Sequence, residues 1–390
     1  MNLLWLVPGV VGGSEDSVTG ALRAVAALDE PDLDLRLAVL ESFPSAHPDL
    51  AAAFTCEVND LSGANKVRRV LAEQTWLARM ARRTDAQVVH HAGGVAPLVS
   101  PARNVLTIHD LQPLDLPANF TRTKRAYISS MVGRSARGAE VVCVPSEFTR
   151  SRVVDLLGVA PERVRVVPWF VEGVRGAAAG GAVDGRVGGA VDGAVSRAVS
   201  GAVDPEVPSG PYFLYPAITY PHKQHVLLVD AFAIVARADP SVTLVLTGGE
   251  GPSEAAVRDR IASHGLGHRV LRAGRVSRDH LEALYAGAAA VTVPSNYEGF
   301  GLPALEAMVR GRPVLAAAAG SLPEVVAPDS LVDPVDVTAW ADAMQSVLQL
   351  STQERAARIA LGHELAARFS PHRTATDLLS AYRRAAASSR

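Results

Sequence analysis

The stretch "PSNYEGFGLPALEAM", residues 294–308, places two carboxylates, Glu298 and Glu306, around a glycine-rich turn. Paired carboxylates suit acid/base chemistry on a sugar, where one protonates a leaving oxygen and the other attacks or activates water. They equally suit a hydrogen-bond clamp, or two solvated charges that happen to be close, and the residues alone leave the three open. The apolar run 289–293 reads as a strand that Pro294 ends, and Gly299 and Gly301 permit a tight turn. Pro303 then opens a helix, where its missing N–H is no loss. Glu298 thus precedes the helix and Glu306 sits about one turn inside it. A helix start that follows a strand offers unpaired N–H groups and the positive dipole end to a phosphate or a hydroxyl-rich ligand. It also lies at the carboxyl end of a strand, where open α/β sheets bind ligands.

Other residues are placed to join this chemistry. In "YPAITYPHKQHVLLVDAFA", residues 215–233, a polar loop carries His222, Lys223 and His225 between a strand and an amphipathic helix. A lysine there can sit over phosphate oxygens as a point charge, or simply be solvated. In "TIHDLQP", His109 and Asp110 follow the strand 104–108, where a histidine binds a polar ligand, handles a proton or serves the structure. Gly12-Gly13 is not GxGxxG, which argues against a dinucleotide fingerprint, yet it lets backbone approach a phosphate. Two patterns read as decoys. Asp32-Leu33-Asp34 spells a cation-binding DxD but precedes a strand, as a solvated turn does. "LTGGEGP", residues 246–252, lacks the Gly-Lys-Ser/Thr ending of a P-loop.

The elements that must position these residues come in two series. Runs at 3–7, 35–40, 87–90, 104–108, 140–144 and 164–167 read as strands, with helical spacing between them, as at 64–83 and 146–157. The rhythm restarts after residue 210 with runs at 212–215, 242–247, 269–272, 289–293 and 313–316. Short apolar strands alternating with helices imply parallel sheets covered on both faces, and two series imply two doubly wound α/β domains. The length of 390 residues accommodates both. Between them, residues 176–210 repeat Gly-Ala-Val four times without aromatic or long aliphatic residues, which reads as a flexible insertion. The expected division is 1–172, an insertion 173–210, a second domain 211–370, and a C-terminal helix 371–390 packing back on the first domain.

A hydrophobic share of 48% with 20% charged residues excludes a disordered chain, and a net charge of −2 gives no reason to expect nucleic acid. Two cysteines without a His/Cys cluster argue against a zinc site or disulfide framework. The start, "MNLLWLVPGVVGG", lacks a basic n-region and is broken by Pro8-Gly9, so it reads as a buried strand rather than a secretion signal. No run approaches the ~18 apolar residues of a membrane span. The expected location is cytoplasmic. The basic segment 64–83, with Arg68, Arg69, Arg79, Arg82, Arg83 and Trp76, raises peripheral contact with an anionic membrane at its inner face.

Six segments in order resemble the retaining glycosyltransferases of family 4, which have the GT-B fold: "PGVVGGSED", "TIHDLQPLDLPANF", "VPSEFTRSRVV…GVAPERVRVVP", "PHKQH", "AGRVSRDHLEALYAGAAAVTVPS" and "EGFGLPALEAMVRGRPVLAAAAGSLPEVV". The resemblance implies two Rossmann-like domains facing across a cleft, an acceptor site in the first and a nucleotide-sugar site in the second. It implies that Glu298 and the backbone N–H groups of Gly299, Phe300, Gly301 and Leu302 hold the transferred sugar, and that Glu306 binds the ribose. Lys223 would stabilise the diphosphate beside His222, Gly12 and Gly13 would approach it, His109 would lie near the sugar, and Arg275-Val276 would border the base. Many relatives carry Arg-Lys at His222-Lys223; a mannosyltransferase-like branch carries His-Lys. The segment after Pro323 also lacks the glycine turn common in relatives.

The reaction that the resemblance implies moves a hexose, foremost mannose from GDP-mannose and next glucose from UDP-glucose, to a hydroxyl of a glycan or lipid-linked acceptor. A nucleoside diphosphate leaves as a stable anion and needs charge stabilisation more than protonation, so Lys223 and the helix start suffice without a metal or other cofactor. Glu298 then positions the sugar rather than attacking it. The competing reading is a sugar-nucleotide-binding GT-B protein without catalysis.

Overall fold

The computed structural model describes residues 1–10, 12–172 and 206–388. The low-complexity insertion expected between the domains falls largely outside them. The chain forms two compact units, Met1–Phe170 with Phe369–Arg390, and Val171–Arg368.

In the first unit, β1 (Arg36–Leu40) pairs in parallel with β2 (Thr55–Asn59), and β3 (Val88–His91), β4 (Arg103–Thr107), β5 (Val141–Val144) and β6 (Val164–Val166) form a parallel run in that order. Val105, Leu106, Val141 and Val142 are wholly buried, as expected of strands covered on both faces. The expected strand at 3–7 does not form. At the chain start Asn2 bridges Ala38 and His91, with Met1 and Leu3 bonded to the Ala38 backbone on either side. The Asn2 side chain accepts from Leu4 N–H at 3.1 Å and Leu6 N–H bonds back to Leu3, so an Asn-initiated turn withdraws the run from the ladder. Apolar content alone does not hold a strand straight. Strand β2, "TCEVN", escapes sequence reading because it is half-exposed and carries a glutamate.

The helix Pro371–Ala387 returns to this unit and buries Leu378, Leu379, Tyr382 and Ala385 against Val25, Val105 and Val141. The i, i+3, i+4 spacing of these residues makes one apolar stripe. Thr374 donates to the Pro168 carbonyl at 2.6 Å, and Tyr382 bonds His90 Nδ1 at 2.8 Å.

In the second unit, β7 (Tyr212–Pro216), β8 (Thr243–Thr247), β9 (Val270–Gly274), β10 (Ala290–Val293), β11 (Val314–Ala317) and β12 (Leu331–Val332) form one parallel sheet ordered β12-β11-β10-β7-β8-β9. The chain runs outward from β7 to β9, then returns to lay β10 on the other side of β7. The order therefore reverses between β7 and β10, and such switch points open a crevice at the carboxyl ends of the strands.

Candidate functional site

The loops that carry Lys223 and Glu298 flank this switch point. The first leaves β7, passes a single turn at Pro221–Lys223, and enters the helix His225–Ala238 through Gln224 in the left-handed region, at φ 52°. The second leaves β10 and enters the helix Leu302–Val309 through Gly301, at φ 100°. Glycine suits that φ, and a Cβ there would also press on the Leu322 side chain, 2.8 Å from its Cδ2.

The two loops meet. Lys223 Nζ donates to Glu298 Oε1 at 2.6 Å, and the two side chains retain 17% and 12% exposure. This is a short charge-assisted bond in partly dry surroundings, where such contacts are strongest. The Asn296 N–H donates to the His222 carbonyl at 3.0 Å. A third loop, after β11, fixes the glutamate backbone: the Ser321 N–H and hydroxyl both donate to the Glu298 carbonyl. A Cβ on Gly320 would lie 2.7 Å from Glu298 N, so only glycine lets this loop approach.

His222 contributes no fixed positive charge. Burial, and then the neighbouring Lys223, bring its imidazole down to about 4, and its ring stacks on Tyr220 with centroids 5.7 Å apart. His225, buried next to the Tyr215 ring, is brought down to about 3, by burial first and then Arg272.

Glu306 lies inside the Leu302–Val309 helix, as expected, and accepts from the Tyr285 hydroxyl at 2.6 Å. The Tyr285 ring is fully buried beneath the Arg310 guanidinium, 4.7 Å from the ring centre, and Arg310 pairs with both oxygens of Glu282. Sequence reasoning missed this support because Tyr285 reads there only as part of an apolar helix face.

The "TGGEGP" turn after β8 packs beside the same edge. A Cβ on Gly248 would meet the Ala217 carbonyl at 2.5 Å, and one on Gly251 the Thr219 carbonyl at 2.7 Å. Glu254 binds Thr219 Oγ1 and Arg272, while Arg272 also donates to the Gly248 carbonyl at 2.9 Å, so a buried ion pair holds the turn in place. Arg275 lies exposed against Gly249, and Val276 follows it ahead of the Ser277 cap of the helix Arg278–Gly287.

Gly12, Gly13 and His109 belong to the first unit. Gly12 is the N-cap of the helix Gly13–Ala27 at φ 74°. In the same helix, Glu15 accepts from the Gly9 N–H at 2.8 Å and meets His47 at 3.0 Å. His109 bonds the Ala92 carbonyl through Nε2 at 3.0 Å, which makes that nitrogen the donor. Its ring stacks on Trp169, with centroids 5.6 Å apart, and lies tilted to Trp5 at 6.0 Å, and burial lowers its pKa. His109 is therefore neutral near pH 7 and suited to polar contact more than to carrying charge. Asp32 and Asp34 are exposed, and Asp34 pairs with Arg36, in agreement with a solvated turn. Among the described residues, no group of three or more His, Cys, Asp or Glu side chains is arranged to hold a metal ion.

Residues 18–172 match the family described as Glycosyltransferase Family 4, and residues 203–361 match Glycosyl transferases group 1. The chain belongs to the family 4 glycosyltransferases. Among curated family members, a D-inositol 3-phosphate glycosyltransferase of Mycolicibacterium smegmatis is 40% identical over 153 residues, 37% of this chain and 35% of that protein. An MMP alpha-(1->4)-mannosyltransferase of Mycolicibacterium hassiacum is 46% identical over 91 residues, 22% of this chain and 21% of that protein. The matched stretch thus spans 35% or less of the length of these two relatives. Solved structures extend the fold likeness across the chain. Sucrose-phosphate synthase from Thermosynechococcus elongatus superposes with a TM-score of 0.68 at 20% identity, covering 95% of this chain and 93% of that one. Anabaena HepE in complex with UDP-glucose gives 0.66 at 18% identity, covering 93% and 96%. These likenesses, with the two parallel sheets, give the glycosyltransferase its GT-B fold.

Proposed function

We propose that the protein is a retaining hexosyltransferase that moves a sugar from a nucleoside diphosphate to an acceptor hydroxyl. The observation that carries this reading is the Lys223–Glu298 contact at the switch point of the second sheet, beside the start of the Leu302–Val309 helix. The leaving diphosphate gains negative charge as the glycosidic bond breaks. Lys223 would share its ammonium with that charge, and the helix start would add its dipole and N–H groups. Glu298 would hold the sugar hydroxyls, with Gly299, Phe300 and Gly301 around it, and Glu306 the ribose. Arg275 and Val276 would border the base. Retention would follow from attack on the face that the diphosphate leaves, with a diphosphate oxygen accepting the acceptor's proton. Lys223 and the helix start would carry the leaving-group charge without a metal or other cofactor. His109, Gly12 and Gly13 would serve the acceptor side.

GDP-mannose is our first donor, in line with the mannosyltransferase relative, and UDP-glucose our second. A glycan or lipid-linked hydroxyl is the first acceptor class; the relatives named for D-inositol 3-phosphate favour a small phosphorylated polyol as the other. A panel of sugar nucleotides, read by thermal stabilisation and nucleoside diphosphate release, tests the reading. At a hundredfold excess over Kd, a bound donor stabilises by about 2.7 kcal/mol, enough to move a melting midpoint by several degrees. One donor should do this and also be hydrolysed or transferred. Stabilisation without turnover would instead favour a non-catalytic binder, and no response to any donor would defeat both readings.

We also propose that the first unit touches an anionic membrane, at the start of the helix Lys66–Arg83. Val67, Leu71, Leu98 and Val99 are each more than half exposed, and the Leu98 N–H is held to Gln74 of the helix at 2.7 Å. Arg68, Arg79 and Arg82 are exposed on the same helix. Trp76 is partly buried and packs against the core, contrary to a lipid-facing role, and Arg69 and Arg83 are engaged with the Trp5 carbonyl and Glu57. Exposed apolar groups among arginines suit a negatively charged lipid surface. Among the described residues no helix is long and apolar enough to cross a membrane. The protein should float with vesicles containing acidic lipid and not with zwitterionic ones, and Leu71→Asp with Val99→Asp should abolish this. Failure to float with either vesicle would dismiss the contact.

A further inference from the structure

Tyr215 stands at the carboxyl end of β7 and is fully buried. Its hydroxyl donates to the Lys223 carbonyl at 2.9 Å and lies 3.0 Å from Ser295 Oγ. A phenol has one hydrogen, and here it points to the carbonyl, so Ser295 donates to the phenol oxygen. Lys223 follows β7 and Ser295 follows β10. One hydroxyl therefore ties together the two loops that flank the switch point. With the Lys223–Glu298 bond the tie becomes a closed ring, running from Tyr215 through Lys223 and Glu298 back to Ser295. Burial, with the Glu298 carboxylate next, holds the phenol well above its ordinary pKa, so it stays a donor.

We propose that Tyr215 is a positioning residue for the transfer reaction, its hydroxyl setting where the Lys223 ammonium stands relative to Glu298 and the leaving diphosphate. This rests on the function proposed above. The bond goes to the carbonyl of Lys223 itself, so loss of the hydroxyl frees the backbone that aims the ammonium. A displacement of about 1 Å at such a group lowers turnover by about a hundredfold. Phenylalanine fills the same space, while packing and the Asn296–His222 bond still hold the loops roughly in place.

The test compares Tyr215→Phe and Ser295→Ala in the wild-type and Lys223→Ala backgrounds, measuring kcat, donor KM and melting. Tyr215→Phe should lower kcat by about 10- to 100-fold, with donor KM moving about threefold or less. With Lys223 already alanine, the same change should lower kcat no further, because residues acting as one unit are not additive. Ser295→Ala removes only the other half of the tie and should give a smaller drop, again absent with Lys223 already alanine. If Tyr215→Phe folds poorly, no drop with Ser295→Ala, or an equal drop in both backgrounds, overturns the inference. An unchanged kcat in Tyr215→Phe, or the same fold-loss in both backgrounds, would overturn the inference and leave only a packing role. A wild-type protein inactive on every donor would overturn the functional reading itself, and this inference with it.

Discussion

Lys223→Ala should lower kcat by about 10²–10³, the effect of removing one preorganised charge-stabilising donor, while donor affinity changes far less. The asymmetry follows from where the charge grows. A bound diphosphate ester already carries negative charge, but the bridging oxygen gains more only as the sugar departs, and an interaction that strengthens only then appears in kcat. The structure adds a second consequence. Lys223 neutralises a carboxylate that is only 12% exposed, so its removal leaves Glu298 short of a partner and lowers the melting midpoint. Removing one partner of a fully buried pair costs about 3–5 kcal/mol, and this pair is partly wet, so the cost is smaller. Turnover should therefore be measured well below the melting transition, where the variant stays folded. Lys223→Arg keeps the charge but replaces a compact ammonium with a planar fork, and should restore turnover only in part. A normal kcat in folded Lys223→Ala would remove Lys223 from the chemistry.

The second large effect is on donor binding through Glu306. A hydrogen bond to a charged group contributes about 1.5–3 kcal/mol, so loss of the carboxylate should weaken nucleotide-sugar binding by about 10- to 100-fold. A lone alanine is a poor probe, because the Tyr285 hydroxyl, 2.6 Å from Glu306 Oε2, would be left buried and unpaired. That penalty is about 1–3 kcal/mol and would appear as lost stability. Replacing both partners, as Glu306→Ala with Tyr285→Phe, removes the orphan and should bring the melting midpoint back toward wild type. Donor affinity should remain low in the double variant. Calorimetric titration with the donor identified by the panel decides the matter: wild-type affinity in the double variant would end the ribose assignment.

Most strands and the order of the two series were legible as apolar runs between turn residues, because a parallel strand buried on both faces needs a continuous apolar stretch. The chain start misled for a local reason, since the Asn2 side chain turns the backbone after one bridging residue. Strand β2 hid because an edge position tolerates polar residues. The glycine turn, its two flanking glutamates and the loop lysine were all visible as residue types with defined spacing.

What residue order alone determined was therefore the alternating α/β pattern and the inventory of groups at the ends of particular strands. The tertiary structure decided how those groups relate. Lys223 and Glu298 are 75 residues apart and meet at 2.6 Å only because β10 is laid beside β7, where the strand order reverses. Tyr285 and Tyr215 appear in sequence as ordinary apolar positions, yet their hydroxyls hold Glu306 and the Lys223 backbone. Local spacing records which residues share a turn or a helix face. It carries no record of which loops a sheet's strand order brings together, and at this site that juxtaposition makes a lysine, two glutamates and a glycine turn into one arrangement.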